Sequence, residues 1–358
     1  MRVMSVLSSC TNSGAMPDLT PRISPDIVVV GAGLIGLAIA LELHDRGAAV
    51  TVVDQGRSLA GASSAAAGML AVEDPYNPPA LTALSRLSAQ RYPAFLRRIE
   101  ALSGIAVPFQ TETTVQYMAD GSTMRLAEHS IDPRQLAEAL LAAVKATPIR
   151  LLEQTRIAAV DDMHHGMQVR LSTGGAIASR AVIYAAGAWT SKVMTALHSD
   201  SISIAPRKGQ MLRVGLPSAL ALNEVHRSER IYIVPRTRGP QAGTALIGAT
   251  VENAGFDTTV RAGDLDDLRT LAATLLPAFA SASEAPVVES WAGLRPATPD
   301  GLPVLGACSH AGQFIASGHY RNGILQAPAT ALVLADLLEG RPASVDITAL
   351  SPERFVRN

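Results

Sequence analysis

The sequence predicts an α/β protein: a doubly wound domain with an interleaved α+β domain whose sheet is largely antiparallel. Three observations predict it. The β-branched run Ile27–Val30 ends in a glycine cluster and is followed by a helical pattern and a second apolar run, as in a buried parallel βαβ unit. Strand and helix patterns alternate at both ends of the chain, whereas short strands without intervening helices fill the middle. The 358 residues, 48% of them hydrophobic, exceed the ~100–200 residues usual for one domain.

In chain order, residues 1–25 are rich in Ser, Thr, Asn, Pro and Gly and read as a disordered leader. Their apolar patch after Arg2 is too short for a signal peptide, and Met16 is an alternative start. Leu34–Arg46 reads as a helix closed by Gly47, and Ala49–Val53 as a strand. Leu81–Leu102 has helical spacing with charges on one side. Ile131–Lys145 is a further helix, with Asp132 and Pro133 suited to the N-cap and first position. Short strands follow at Ile157–Val160, Met167–Ser172 and Ala181–Ala185, then at Gln210–Val214, Ile231–Val234 and Thr244–Ala249. A helix over Leu265–Leu276, a strand at Phe314–Ala316 and a helix over Pro328–Leu338 complete the chain. Residues 26–82, 128–203 and 290–358 are thereby assigned to the doubly wound domain, and 83–127 and 204–289 to the second.

Composition excludes several classes. A net charge of −1 provides no overall basic field for nucleic acid or acidic membranes. No apolar run reaches the ~20 residues that span a bilayer. Cys10 and Cys308, far apart, make neither a disulfide framework nor a metal site and suit a reducing cytoplasm. The adjacent His164 and His165 beside Gly166 read as a turn between strands rather than as metal ligands.

Gly31, Gly33 and Gly36 form a G-x-G-x-x-G that follows a strand and opens a helix, the setting of a Rossmann-like dinucleotide fingerprint. Gly31 makes the tight turn, Gly33 admits the pyrophosphate and Gly36 lets helix and strand pack closely. Asp54, 18 positions after Gly36, ends the second strand, where a carboxylate accepts from a ribose hydroxyl. The triplet alone does not separate NAD from FAD. The small-residue run from Gly61 to Leu70 favours FAD, because it lets backbone approach a flat ring. The strand Val182–Ala185, ending at Ala186 and Gly187, fits a backbone passing near the same dinucleotide.

With these stretches, Trp291-Ala-Gly-Leu-Arg-Pro296 and Gly318-His-Tyr-Arg-Asn-Gly-Ile-Leu325 complete a resemblance to the D-amino-acid oxidase superfamily of FAD enzymes, most closely to its glycine oxidases of thiamine biosynthesis. The resemblance runs from about Ile27 to the C-terminus. It implies FAD contacts at Leu34, Ile35, Asp54, Gln55, Ala62, Ser63, Ala67, Gly68, Met69 and Ile157, and at the loop His319, Tyr320, Arg321, Asn322, Gly323, Ile324 and Leu325. It implies substrate contacts at Arg295, which binds the carboxylate, at Arg321 and at Tyr232. Val251 stands where a glycine oxidase often has Met, which alters the pocket volume.

The chemistry implied is oxidation of glycine or another small amine (sarcosine, short D-amino acids) by hydride transfer from Cα to the flavin N5, with oxygen as acceptor. Imine or α-keto acid, ammonia and hydrogen peroxide are the products. The flavin carries the hard step, so no catalytic side chain is required. A planar guanidinium pins a carboxylate with two parallel bonds, which a lysine does not copy. In isolation, Arg295 and Arg321 read as solvated loop charges; within these motifs they read as substrate ligands. No cysteine matches an attachment position, so FAD is expected to be non-covalent. A quinone-linked dehydrogenase would call for a basic amphipathic helix, of which the sequence offers no convincing example, and an RNA-associated FAD module for a basic stripe, against which the overall charge is slightly negative. A symmetric homo-oligomer is expected for an enzyme of this type.

Overall fold

The computed structural model describes residues 26–200, 202–217 and 220–355; the expected leader lies outside them. The first unit is β1 (Asp26–Val30), α1 (Leu34–Asp45) and β2 (Val50–Val53), with β1 and β2 parallel and Ile27 opposite Val50. The one-turn α2 (Ala62–Ala65) and the long α3 (Thr82–Ser103) follow. Next come the hairpin β3 (Thr114–Tyr117) and β4 (Thr123–Leu126), then α4 (Pro133–Lys145). The Asp132 side chain caps α4 by accepting from the Arg134 N–H, with Pro133 in its first turn, as the sequence predicts.

The chain continues through β5 (Arg150–Leu152), β6 (Ile157–Met163), β7 (Gly166–Leu171), β8 (Ala176–Tyr184) and α5 (Thr190–Ala196). His164 and His165 fall in the β6–β7 turn. The second sheet is then built from β9 (Ala205–Gly215), β10 (Val225–Arg227), β11 (Tyr232–Arg236) and β12 (Thr244–Gly248), followed by α6 (Ala262–Leu275) and β13 (Val287–Ala297). The chain ends with β14 (Val304–Ala307), β15 (Gln313–Ser317) and α7 (Gly323–Leu338).

Two sheets result. One has the order β14-β15-β8-β1-β2-β5, with β6 and β7 extending it from β8; the other has the order β13-β9-β12-β11-β10-β3-β4. The β15, β8, β1, β2 and β5 neighbours are parallel. In the second sheet every pair is antiparallel except β10 with β3. Helices α1, α3, α4 and α7 share one apolar core through residues such as Leu37, Leu41, Ile99, Leu140 and Leu334. The α1 pattern is apolar all round because that helix is enclosed by the sheet and by α7.

Two elements differ from expectation. The stretch holding Arg295 is not a loop but the last part of β13. Gly293 and Pro296 suggest a loop, yet β13 is an edge strand whose one strand partner among the described residues is β9, and an edge tolerates a residue without an N–H. Helix α7 begins at Gly323 rather than Pro328, so Pro328 lies inside it. Proline removes the N–H that would reach the Ile324 carbonyl. The buried Tyr92 hydroxyl from α3 donates to that carbonyl instead, at 2.7 Å. In the same contact, Ser88 Oγ accepts from the Ala329 N–H at 3.1 Å.

Candidate active site

A single cavity of about 1140 Å³ runs from the C-terminal ends of β1 and β2 to the face of the second sheet. It exceeds the ~300–1,000 Å³ of typical small-ligand pockets, leaving room for a dinucleotide and a small substrate. At its nucleotide end, Gly31 turns with φ 112°, and a Cβ there would lie 2.5 Å from the Ala185 carbonyl oxygen. Gly36 does not line the cavity; a Cβ on it would lie 2.0 Å from the Gly31 oxygen, so its part is to let α1 pack against the turn. Gly33 is the N-cap of α1 and brings no side chain to the helix end. Backbone N–H groups at such an end attract phosphate.

Asp54 accepts from the N–H groups of Ala32 and Gly56, each at 2.7 Å, which clamps the glycine turn to the end of β2. A carboxylate offers about four acceptor sites, so capacity for a ribose hydroxyl remains. Ser63 Oγ accepts from Leu34 N at 2.9 Å and ties α2 to the start of α1. Leu34, Ile35, Gln55, Ala62, Ile157 and Gly187 line the same end.

The small-residue run is held from behind. Trp291 Nε1 donates to the Ala65 carbonyl at 3.1 Å, and Arg236 donates to the Ala67 carbonyl at 2.8 Å. Arg236 is 1% exposed, and burial pushes it down to about 10 against the pull of Asp132. Arg134 stacks on Trp291 and grips Glu289 with two bonds of 2.8 Å. Gly68 turns with φ 89° against Ile131 and Pro133, where a Cβ would clash at 2.1 Å. Ala67, Gly68 and Met69 thereby face the cavity.

The late loop closes the middle of the cavity. Tyr320 N donates to the Pro296 carbonyl at 2.8 Å, and Asn322 Nδ2 to Asn77 Oδ1 at 3.1 Å. The His319 ring is buried against Thr330 (3.0 Å). Burial depresses it to about 3, so it is a neutral, structural ring. Tyr320, Arg321, Asn322, Gly323 and Ile324 line the cavity, as does His319. Leu325 does not: it is 1% exposed within the α7 core, because the helix has already begun and turns that side chain inward.

The far wall is the second sheet with the segment after β12. Arg295 on β13 is half-buried there, and its Nη1 donates to the Thr250 carbonyl at 3.1 Å. Among the described residues it meets no carboxylate. A Cβ on Gly209 of β9 would lie 2.3 Å from both Arg295 Nη atoms, so that glycine is the seat of the guanidinium. Tyr232 packs its ring over Gly248 and points its hydroxyl at Met211 Sδ, 3.6 Å away. Val251 is 62% exposed, and Arg321 is exposed. All four expected substrate contacts thus border one cavity, joined by Gly209, Met211 and Leu268.

These surroundings fit FAD: a glycine turn at a helix N-terminus, an acid at the end of the second strand, and a shelf of small residues leading to a cationic wall. Comparison with known proteins agrees. The family model for FAD dependent oxidoreductase (DAO) matches residues 26–130 and 119–337. The chain belongs to this DAO family. It is 32% identical to a glycine oxidase of Geobacillus kaustophilus over 375 residues, covering 92% of this chain and 97% of that protein. It is 33% identical to the bifunctional protein ThiO/ThiG of Trichormus variabilis over 87% of its own length, which spans 52% of that protein. The crystal structure of the Geobacillus kaustophilus glycine oxidase superposes with a TM-score of 0.84 at 30% identity, covering 91% of this chain and 98% of the other. The protein is therefore an FAD-dependent oxidoreductase similar to glycine oxidases.

Cys308 lies outside the cavity wall, and burial raises that thiol to about 12. No described helix is long and apolar enough to cross a membrane. Sequence reasoning missed Gly209, although a lone glycine inside a strand pattern is a signal of close approach. It also missed Asp74 and Asn77 in the cavity wall, and the Trp291 and Arg236 clamps on Ala65 and Ala67, for which no local signal exists.

Proposed function

We propose that the chain oxidises glycine and other small amines, sarcosine and short D-amino acids among them, with oxygen as electron acceptor, and that it serves the thiazole branch of thiamine biosynthesis. One observation carries the reading. Arg295 presents a guanidinium that meets no carboxylate among the described residues to a cavity that also holds the nucleotide cradle. A planar fork of this kind takes an amino acid's carboxylate with two parallel bonds. Similarity to a glycine oxidase over 92% of the chain and to a ThiO/ThiG protein over 87% supports the substrate and the pathway.

In this reading Arg295 fixes the carboxylate, and Tyr232 and Arg321 border the same space. The apolar side chains of Met211, Val251 and Leu268 border the space left for the substituent on Cα. Asp54, Ser63 and the α1 N-terminus would hold the ADP half of FAD without a covalent bond, and residues 67–69 and 319–324, which line the cavity, would hold its flavin half. When bound, FAD would supply the hydride acceptor and the route for the electrons to oxygen, with hydrogen peroxide as the product. The imine leaves for hydrolysis to an α-keto acid and ammonia, or for use in thiazole formation. No side chain needs to act as a general base if the amine enters neutral.

The test is peroxide release by the purified holoenzyme across a panel of glycine, sarcosine, D-alanine and a quinone-linked control. Arg295→Ala should raise the Michaelis constant for glycine by about 100-fold, the scale for truncating one partner of a buried charge pair, with FAD still bound. Absence of peroxide with every amine, or unchanged kinetics in the variant, rejects the proposal.

A further inference from the structure

Resting on the reading of Arg295 as the carboxylate clamp, we propose that the pair of the buried Lys208 and the half-buried Glu252 is a positioning device that fixes the Arg295 guanidinium through the Thr250 carbonyl. On β9, Lys208-Gly209-Gln210 alternate between two faces. Gly209 seats Arg295 on the cavity side. Lys208 and Gln210, both 0% exposed, engage the segment after β12.

Lys208 Nζ donates to the Thr259 carbonyl at 2.6 Å and lies 3.3 Å from Glu252 Oε2 and 3.9 Å from Asp257 Oδ2. Gln210 Nε2 donates to Glu252 Oε1 at 2.8 Å and also to Asp264, while its Oε1 accepts from Arg261 N at 2.7 Å. The backbones join too: Lys208 N donates to the Glu252 carbonyl at 3.1 Å, and Glu252 N to the Lys208 carbonyl at 2.9 Å. Thr250 lies at the centre, its Oγ1 accepting from Gln210 N at 2.8 Å and donating to Glu252. Its carbonyl is the acceptor that holds Arg295.

A fully buried lysine is expensive to desolvate, and an apolar pair of similar volume would often hold a loop as firmly. What the polar network adds is direction. It fixes both the position of Thr250 and the orientation of its carbonyl, and so the plane of the fork that must meet a carboxylate. The Glu252 carboxyl is opposed by burial, but bonds from Thr250, Gln210 and Lys208 hold it below its usual range, so this carboxylate is ionised at neutral pH. Glu252 does not line the cavity; it acts through Arg295.

The experiment uses the holoenzyme and glycolate, a carboxylate of glycine's size that lacks the amine. Binding is read from perturbation of the oxidised flavin's visible spectrum, beside steady-state kinetics with glycine and the melting midpoint. Glu252→Gln should weaken glycolate roughly tenfold, within the range for residues of one hydrogen-bond network, and raise the Michaelis constant for glycine equally while leaving turnover within about twofold. Thr250→Ala, which removes the hydroxyl bridge but keeps the carbonyl, should weaken glycolate about threefold and decides the matter if Glu252→Gln does not fold. A lowered melting midpoint with unchanged glycolate affinity in these variants overturns the inference. Arg295→Ala separates the two levels. If it abolishes glycolate binding while Glu252→Gln and Thr250→Ala bind normally, the positioning role falls and the clamp stands. If Arg295→Ala binds glycolate like the wild type, the clamp itself falls and the positioning role with it.

Discussion

Replacing Gly209 by alanine places a methyl group 2.3 Å from both Nη atoms of Arg295 and 2.5 Å from its Cζ. Ordinary contact begins at about 3.5 Å, so the guanidinium has to retreat by more than about an ångström. The obstructing atoms are the end of a flexible side chain rather than backbone, so the strand pairing of β9 with β13 should survive with little change in melting temperature. The fork, however, leaves the Thr250 carbonyl and the line of a bound carboxylate. A misplacement of about 1 Å at a reacting centre costs on the order of 10²-fold, and here it should appear as a loss of kcat/KM for glycine carried mainly by KM. The assay is peroxide-coupled turnover over a range of glycine, with FAD content checked by absorbance. Because the methyl acts through Arg295, adding Gly209→Ala to Arg295→Ala should cost nothing further. A kcat/KM within about threefold of wild type, at full flavin loading, refutes the reasoning.

Other outcomes follow from the same geometry. Asp54→Ala removes the acceptor of the Ala32 and Gly56 N–H groups and should release flavin on dialysis; a fully yellow variant refutes the cradle. Tyr92→Phe leaves the buried Ile324 carbonyl without its donor and should lower unfolding free energy by about 1–3 kcal/mol, measured by urea titration. Asp336, 4% exposed, binds Arg46, Arg341 and Ser344. Burial opposes its ionisation, but the bonds from Ser344 and Arg46 outweigh it and hold the carboxyl below its usual range. Its folded pKa lies under the unfolded value of about 3.9, so its contribution is complete above that pH and lost as pH falls through the folded value. Asp336→Asn should therefore be less stable at neutral pH and show a flatter acid melting profile than wild type; identical profiles would remove the role.

What was legible in the sequence was local. Gly31, Gly33, Gly36 and Asp54 belong to one short βαβ unit whose spacing carries its own geometry. The capped start of α4 at Asp132 and Pro133 was readable for the same reason. Gly293 and Pro296 break a strand pattern and make Arg295 read as a loop residue; that β13 is an edge, where such breaks are tolerated, is a property of the whole sheet. The first turns of α7 were missed because Pro328 ends a helix unless something else satisfies Ile324, and the donor lies 232 positions away. The motif of its neighbours points Leu325 at the cavity, whereas the early helix start turns it into the core. The network around Lys208 and Glu252 left no sequence signal, since an isolated lysine in a strand reads as a surface charge.

The bond between Tyr92 and the carbonyl opposite Pro328 also constrains how this chain can change over generations. A carbonyl oxygen has two lone pairs, so a lineage that first exchanges the proline for a residue with an N–H keeps the oxygen satisfied twice over and can then shed the hydroxyl. Taking the steps in the reverse order strands a polar atom in a dry interior. The two helices thus inherit a preferred order of mutation, and descendants carrying the proline without the tyrosine should be the rarest of the four combinations.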